Sequence, residues 1–183
     1  MKNNLELKMY FFTVSSLNNI SKGIACGHCA LEYAYKNNNG ALFINFMDKW
    51  KTWVILNGGT TNKKRDFSGV AFGTLNRIGD LLLKNNIDFS YFEEPDLNDA
   101  LTALCFICDE RVFDREKYPD FVNYLIDILY NGTASSESIV RLRMIPYEKL
   151  INSYEKEYKK WVRFIGGIKN LFLRDLLKDK KLA

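Results

Sequence analysis

The run Lys8-Met9-Tyr10-Phe11-Phe12-Thr13-Val14 is apolar at nearly every position, so it reads as a strand buried on both faces. A polar connection, Ser15 to Ile20, follows. Ser21 then stands at the expected cap of a helix that runs through Glu32, Tyr33 and Tyr35 to a stop at Asn37-Asn38-Asn39-Gly40. Small residues (Gly23, Ala25, Gly27, Ala30) crowd its first half, which predicts a close approach to a sheet or a ligand there. An amphipathic stretch from Phe43 to Trp50 precedes the apolar strand Trp53-Val54-Ile55-Leu56. That strand runs directly into the loop Asn57-Gly58-Gly59-Thr60-Thr61-Asn62 and then the basic loop Lys63-Lys64-Arg65. A helical period from Thr74 to Asn85 puts Leu75, Ile78, Leu82 and Leu83 on one face. Ile87 to Phe92 and Leu101 to Cys108 read as two further strands, separated by the acidic turn Glu93-Glu94-Pro95-Asp96-Leu97-Asn98-Asp99.

Strands alternating with helices predict an α/β fold: three layers, a mixed four-stranded sheet and helices on both faces. Ligands of such sheets gather beyond the strands' carboxyl ends. That expectation brings the Ser15–Lys22 connection and the Asn57–Asn62 loop to one place. From Pro119 onward the pattern is helical, with a break at residues 131–136. The last segment, Trp161 to Leu177, sets Trp161, Phe164, Ile168, Leu171 and Phe172 on one stripe bordered by Lys169, Arg174 and Lys178. The expected organisation is an α/β domain over residues 1–115 and a helical extension over 116–183. The extension would pack on that domain or on a partner subunit of a homo-oligomer. A basic amphipathic helix also suits a membrane surface, although packing explains the stripe more simply.

Composition narrows the classes. With 183 residues, 47% of them hydrophobic and 26% charged, the chain is long enough to bury a core and has ordinary globular proportions. No run reaches the ~20 apolar residues of a membrane span, and Met1 to Lys8 lacks the apolar core of a leader, so a cytoplasmic protein is expected. A net charge of +4 permits a phosphate-bearing partner without demanding one. The four cysteines form two Cys-x-x-Cys pairs, a spacing that suggests zinc. Cys105 and Cys108, however, lie on a strand, where residues three apart point to opposite faces and cannot grip one ion. Buried reduced thiols, with no metal and no cofactor, are therefore expected.

Several of these features together resemble the type-2 peptidyl-tRNA hydrolase superfamily. The first strand leads through Leu17 into Ser21-Lys22-Gly23-Ile24-Ala25-Cys26-Gly27-His28-Cys29-Ala30, similar to that family's Gly/Lys-rich helix start and its Cys-Gly-His-Ala-like run. Trp53 to Leu56 looks like its second strand, Leu75 to Leu83 like its second crossover, and Glu94-Pro95-Asp96 like its acidic residue before the closing strand. The resemblance covers residues 8 to 109. Taken whole, the chain is more similar to a group of bacteriophage proteins that carry this fold plus a helical extension. In the family, a lysine and an acidic residue help bind the tRNA end and polarise the ester under attack. The resemblance therefore implies Lys22, His28 and Asp96 as catalytic candidates. The glutamine that the family also carries has no counterpart here.

Residue chemistry supplies the rest of the candidate set. Lys22 lies in the first turns of a helix, where free N–H groups and the helix dipole favour an anion, though a solvated lysine explains it too. His28 is the sole histidine, which excludes paired-histidine chemistry. Ser15, Ser16 and Ser21 offer hydroxyls. Asn57, Gly58, Gly59 and Thr60 offer amides and close backbone approach, without the lysine of a phosphate-binding Walker loop. Glu94 belongs to the acidic cluster, and Asp96 there also suits a simple turn. Three functions follow as expectations. The first is binding of a nucleotide-like small molecule, such as a host signal that a phage would sequester in an anti-defence role. The second is hydrolysis of a peptidyl-tRNA ester, with the tRNA end as partner. The third is an oligomeric interaction protein, a dimer for example, with a vestigial pocket.

Overall fold

The computed structural model describes residues 5–131 and 135–183. Met1–Asn4, half of the stretch read for a leader, and residues 132–134, within the expected break, lie outside the described residues. The chain divides into two compact units: residues 1–110 together with 176–183, and residues 111–175.

The first unit is the α/β fold read from the sequence. Its strands are β1 (Leu7–Val14), β2 (Thr52–Gly59), β3 (Ser90–Glu94) and β4 (Ala100–Asp109), in the order β2-β1-β4-β3. β1 pairs parallel with β2 and antiparallel with β4, and β3 pairs antiparallel with β4. The three strands β1, β2 and β3 therefore point the same way. Burial explains the order: β1 and β4 are buried at almost every residue, as central strands covered on both faces must be, whereas the outer strands β2 and β3 keep several exposed residues.

Helix α1 (Asn19–Asn37) covers one face. Its Ala25, Cys26, Cys29 and Tyr33 share a core with Leu7, Met9, Phe11, Ala103, Cys105 and Ile107, the odd-numbered positions of β1 and β4. A short helix α2 (Ala41–Asn45) continues into a wide π-turn over Phe46–Trp50, which adds Phe46 to that core. Helix α3 (Thr74–Lys84) covers the opposite face: a Cβ on Gly58 would lie 2.6 Å from Leu75 Cδ1, and one on Gly79 would lie 3.7 Å from Leu104.

Two boundaries differ from expectation, each for a local reason. Asn18, not Ser21, caps α1: its Oδ1 accepts from the Ser21 N–H at 2.9 Å, leaving Ser21 inside the helix. The third strand begins at Ser90 and not at Ile87, because Ile87 is spent on ending α3. Asn86 takes a left-handed φ of 53°, and the N–H groups of Asn86 and Ile87 donate back to Leu83 and Leu82. At the other edge, residues 180–183 lie antiparallel along β2. The Asn57 N–H donates to Lys181 O at 3.0 Å and the Ala183 N–H to Ile55 O at 3.1 Å, covering an otherwise open strand.

The chain leaves the sheet through a single helical turn, α4 (Glu110–Phe113), and enters the second unit, which contains α5 (Phe121–Tyr130), α6 (Ser136–Met144), α7 (Tyr147–Ser153), α8 (Glu155–Phe164) and most of α9 (Ile168–Leu177). Its own core joins Tyr118, Phe121, Leu125, Leu142, Leu150, Trp161 and Ile165. The continuous stripe expected from Trp161 to Leu177 is broken. Gly166 and Gly167 both take left-handed φ values, 94° and 98°, and separate α8 from α9. Trp161 is buried with its indole N–H on Pro119 O at 3.0 Å, and Ile168 is 75% exposed. Arg174 is the keystone of this unit. Its guanidinium, 2% exposed, donates to Arg111 O, Tyr118 O and the Asp120 carboxylate, and it lies 6.0 Å from the Trp161 ring.

Among the described residues no helix is long and apolar enough to cross a membrane.

Candidate functional site

Register sets out the carboxyl edge of the sheet. Asn57, Thr13, Ala103 and Phe92 form one row across the four strands. Beyond that row lie Gly58–Thr60, Ser15 and Glu94–Asp96, all at the same end. They are spread across its width: β2 and β3 are three strand spacings apart, roughly 14 Å.

The β2 side is closed on itself. Ser15 donates its N–H and its hydroxyl to Gly59 O, at 2.7 and 3.0 Å, and so stitches the first connection to the second. Asn57 and Gly58 belong to the strand and not to a free loop. Asn57 Oδ1 accepts from the Gly59 N–H at 2.8 Å, and Thr74 Oγ1 accepts from the Thr60 N–H at 2.7 Å while donating to Gly58 O. Gly59 has a φ of 80°, and a Cβ there would collide with the Thr74 hydroxyl, so both its conformation and its space require glycine. The amides proposed for a ligand are thus engaged within the protein. Arg65 of the basic loop is likewise spent, held bidentate by Asp80.

The β3 side is more open. Helix α1 lies antiparallel to β3. The Cys29 thiol donates to Ser90 O at 3.3 Å, Lys36 binds Asp88 at 2.7 Å, and the His28 ring stacks on Phe92 with 4.5 Å between centroids. Counting back from His28, Lys22 lies about 9 Å nearer the edge along the helix. Glu94 lies about 7 Å beyond Phe92 along the strand, at nearly the same level. Lys22 continues the helical row of Cys26, Cys29 and Tyr33, all buried, so it stands on the sheet side of α1 and is itself half-buried. Among the described residues its ammonium has no acidic partner. Beside it Asn18, Asn19, Ile20 and Ser21 line a shallow open depression of about 540 Å³.

Thr13 adds a feature the sequence reading passed over. It is fully buried at this end of β1, and its hydroxyl has no hydrogen-bond partner among the described residues. Ser16 is exposed in the turn after β1. Asp96 is exposed in the 3-10 turn Pro95–Leu97, and His28 is exposed with one ring face on Phe92. The structure therefore brings Lys22, His28 and Glu94–Asp96 to one side of the edge and leaves the Ser15–Thr60 group on the other.

The cysteines do not converge. Cys26, Cys29 and Cys105 share the α1 face, and the Cys105 thiol donates to Cys29 O at 3.3 Å, while Cys108 faces the α3 layer. All four are free and buried, and among the described residues no group of three or more potential ligands can hold a metal ion. Burial pushes the Cys26 thiol up to about 12 and raises Cys108 well above the ordinary thiol range. Cys29 is raised as well, first by its contact with Cys105 and then by burial.

No protein-family model, curated protein or solved structure matches this chain.

Proposed function

We propose that the chain binds an anionic, nucleotide-type ligand at the carboxyl edge of its sheet, on the side bounded by the start of α1 and the end of β3. The reading rests on Lys22. A half-buried ammonium on the sheet side of the first turns of α1, with no acid to pair with among the described residues, is a cation held ready for an anion. The positive end of the helix dipole adds to it, although the Ser21 N–H is already taken by the Asn18 cap. Asn18, Asn19 and Ser21 supply neutral hydrogen-bonding groups next to it, and Glu94 and Asp96, at the end of β3, are the acids that would take ribose hydroxyls.

A calorimetric and thermal-denaturation titration with inorganic phosphate, AMP and ATP tests this. At a hundredfold excess over Kd, a bound nucleotide stabilises the protein by about 2.7 kcal/mol. Lys22→Ala is expected to abolish that response without lowering the unliganded melting temperature, since the ammonium supports no ion pair within the described residues. A wild-type protein indifferent to all three probes, or a Lys22→Ala variant that responds equally, would sink the reading.

Ester hydrolysis is the second reading, favoured by one observation: Lys22 and the acidic Glu94–Asp96 turn lie at the same level of the same edge. The resemblance to peptidyl-tRNA hydrolases pairs a lysine with an acid in this way. Turnover of a peptidyl-tRNA analogue that disappears in Lys22→Ala and Asp96→Ala separates hydrolysis from simple binding.

A further inference from the structure

The face of α1 opposite its buried row is apolar and uncovered. Ile20, Ile24, Leu31 and Tyr35 are exposed by 77, 52, 68 and 83%, yet they fall on one side of the helix. At about 100° per residue they span an arc of about 60°, with Gly27 bordering it about 20° beyond Ile20 and midway along its length, while Lys22, Glu32 and Lys36 point elsewhere. The four residues expose on the order of 600 Å² of largely apolar surface, at the upper end of the largest patch a typical monomer leaves.

Two glycines of this helix, Gly27 at the border of the face and Gly23 about 40° further round, have no explanation inside the chain. Gly23 and Gly27 are helical, without positive φ, and a Cβ at either would meet nothing within 4 Å. Each costs about 1 kcal/mol against alanine in a helix interior. What glycine does offer is room for a second backbone to come close.

The order of large and small residues says which backbone. Counted from the midpoint between Gly27 and His28, Ile24 and Leu31 are equally distant, and so are Ile20 and Tyr35. Turning the helix end for end about a twofold axis through that midpoint sets Ile24 against Leu31 and Ile20 against Tyr35, twice over, with Gly27 at the crossing. A twofold interface demands that if one residue contacts another, the converse contact also exists. A different partner protein requires no such symmetry. We infer that α1 is the interface of a homodimer, in which two copies of the helix cross antiparallel at Gly27. The exposed area, with the rim around it, approaches the ~800 Å² per partner of a standard interface.

Sedimentation across the micromolar range is the first test, with the full chain expected to be a dimer. Ile24→Glu and Leu31→Glu each change an exposed position, so the fold survives, and each is expected to raise the dissociation constant at least ~100-fold. Cysteine scanning fixes the geometry, because all four native thiols are buried. Under oxidation Gly27→Cys should cross-link to its own copy, while Ile20→Cys, facing the partner's Tyr35, should not. A chain that stays monomeric, a dimer indifferent to Ile24→Glu, or cross-linking through Ile20→Cys instead of Gly27→Cys would each overturn the inference.

Discussion

Arg174→Met is expected to destabilise the helical unit, residues 111–175, by about 3–5 kcal/mol. Methionine keeps most of the apolar stem against Trp161 but removes every donor. The carbonyls of Arg111 and Tyr118 then each lose a charged donor, and Asp120 loses one of its two arginine partners, Arg115 remaining at 2.6 Å. Burial holds the Arg174 pKa below its usual value, but a guanidinium stays charged in this range, so the loss is one of hydrogen bonds and charge together. Arg174→Lys retains the charge without the planar fork and should fall between, at about 2 kcal/mol. Amide exchange of residues 111–175 reads the effect directly. A methionine variant within about 1 kcal/mol of wild type would show that the guanidinium is dispensable.

The second large effect is alkaline. The thiols of Cys26, Cys29 and Cys108 titrate higher in the folded protein than the ordinary value of 9.0. The folded state thus holds their protons more tightly than the unfolded one. Their contribution to stability is complete below pH 9 and is lost as pH rises toward the folded values. Cys26, raised to about 12, should alone cost roughly 2 kcal/mol by pH 11 after allowance for solvent screening. Urea denaturation at pH 8, 9.5 and 11 measures the slope, and Cys26→Ala should flatten part of it. A stability that stays level to pH 11 would contradict the burial of these thiols.

How much of this was legible in the chain differs by element. β1 and β4 were plain because central strands are apolar on both faces, and their lengths followed from the runs themselves. The start of α1 was misjudged by three residues because Asn18 and Ser21 are both competent caps, and only the geometry chooses. β3 was placed too early because Ile87-Asp88-Phe89 looks like strand until Asn86 is seen to reverse the chain. The Gly166-Gly167 pair was an available signal for the break between α8 and α9, outweighed by the apolar stripe around it. For the candidate site, Lys22 could have been set on the sheet side from its phase with Cys26, Cys29 and Tyr33. The self-satisfaction of the Asn57–Thr60 segment could not, since it depends on Thr74, fourteen residues beyond Thr60. The unpartnered hydroxyl of Thr13 was likewise invisible, because a threonine in a buried strand ordinarily finds a carbonyl.

The strip of chain along β2 has a thermodynamic corollary. Leu56 and Leu182 meet across a separation that contains the whole helical unit, so their pairing closes a very long loop. While residues 111–175 are unfolded, that closure carries the entropy of a flexible chain. Once they fold, most of that freedom has already been surrendered. The rim of the sheet and residues 111–175 are therefore coupled through the connectivity of the chain. A lesion at Arg174 is expected to lower the exchange protection of the Asn57 amide, which donates to Lys181 O.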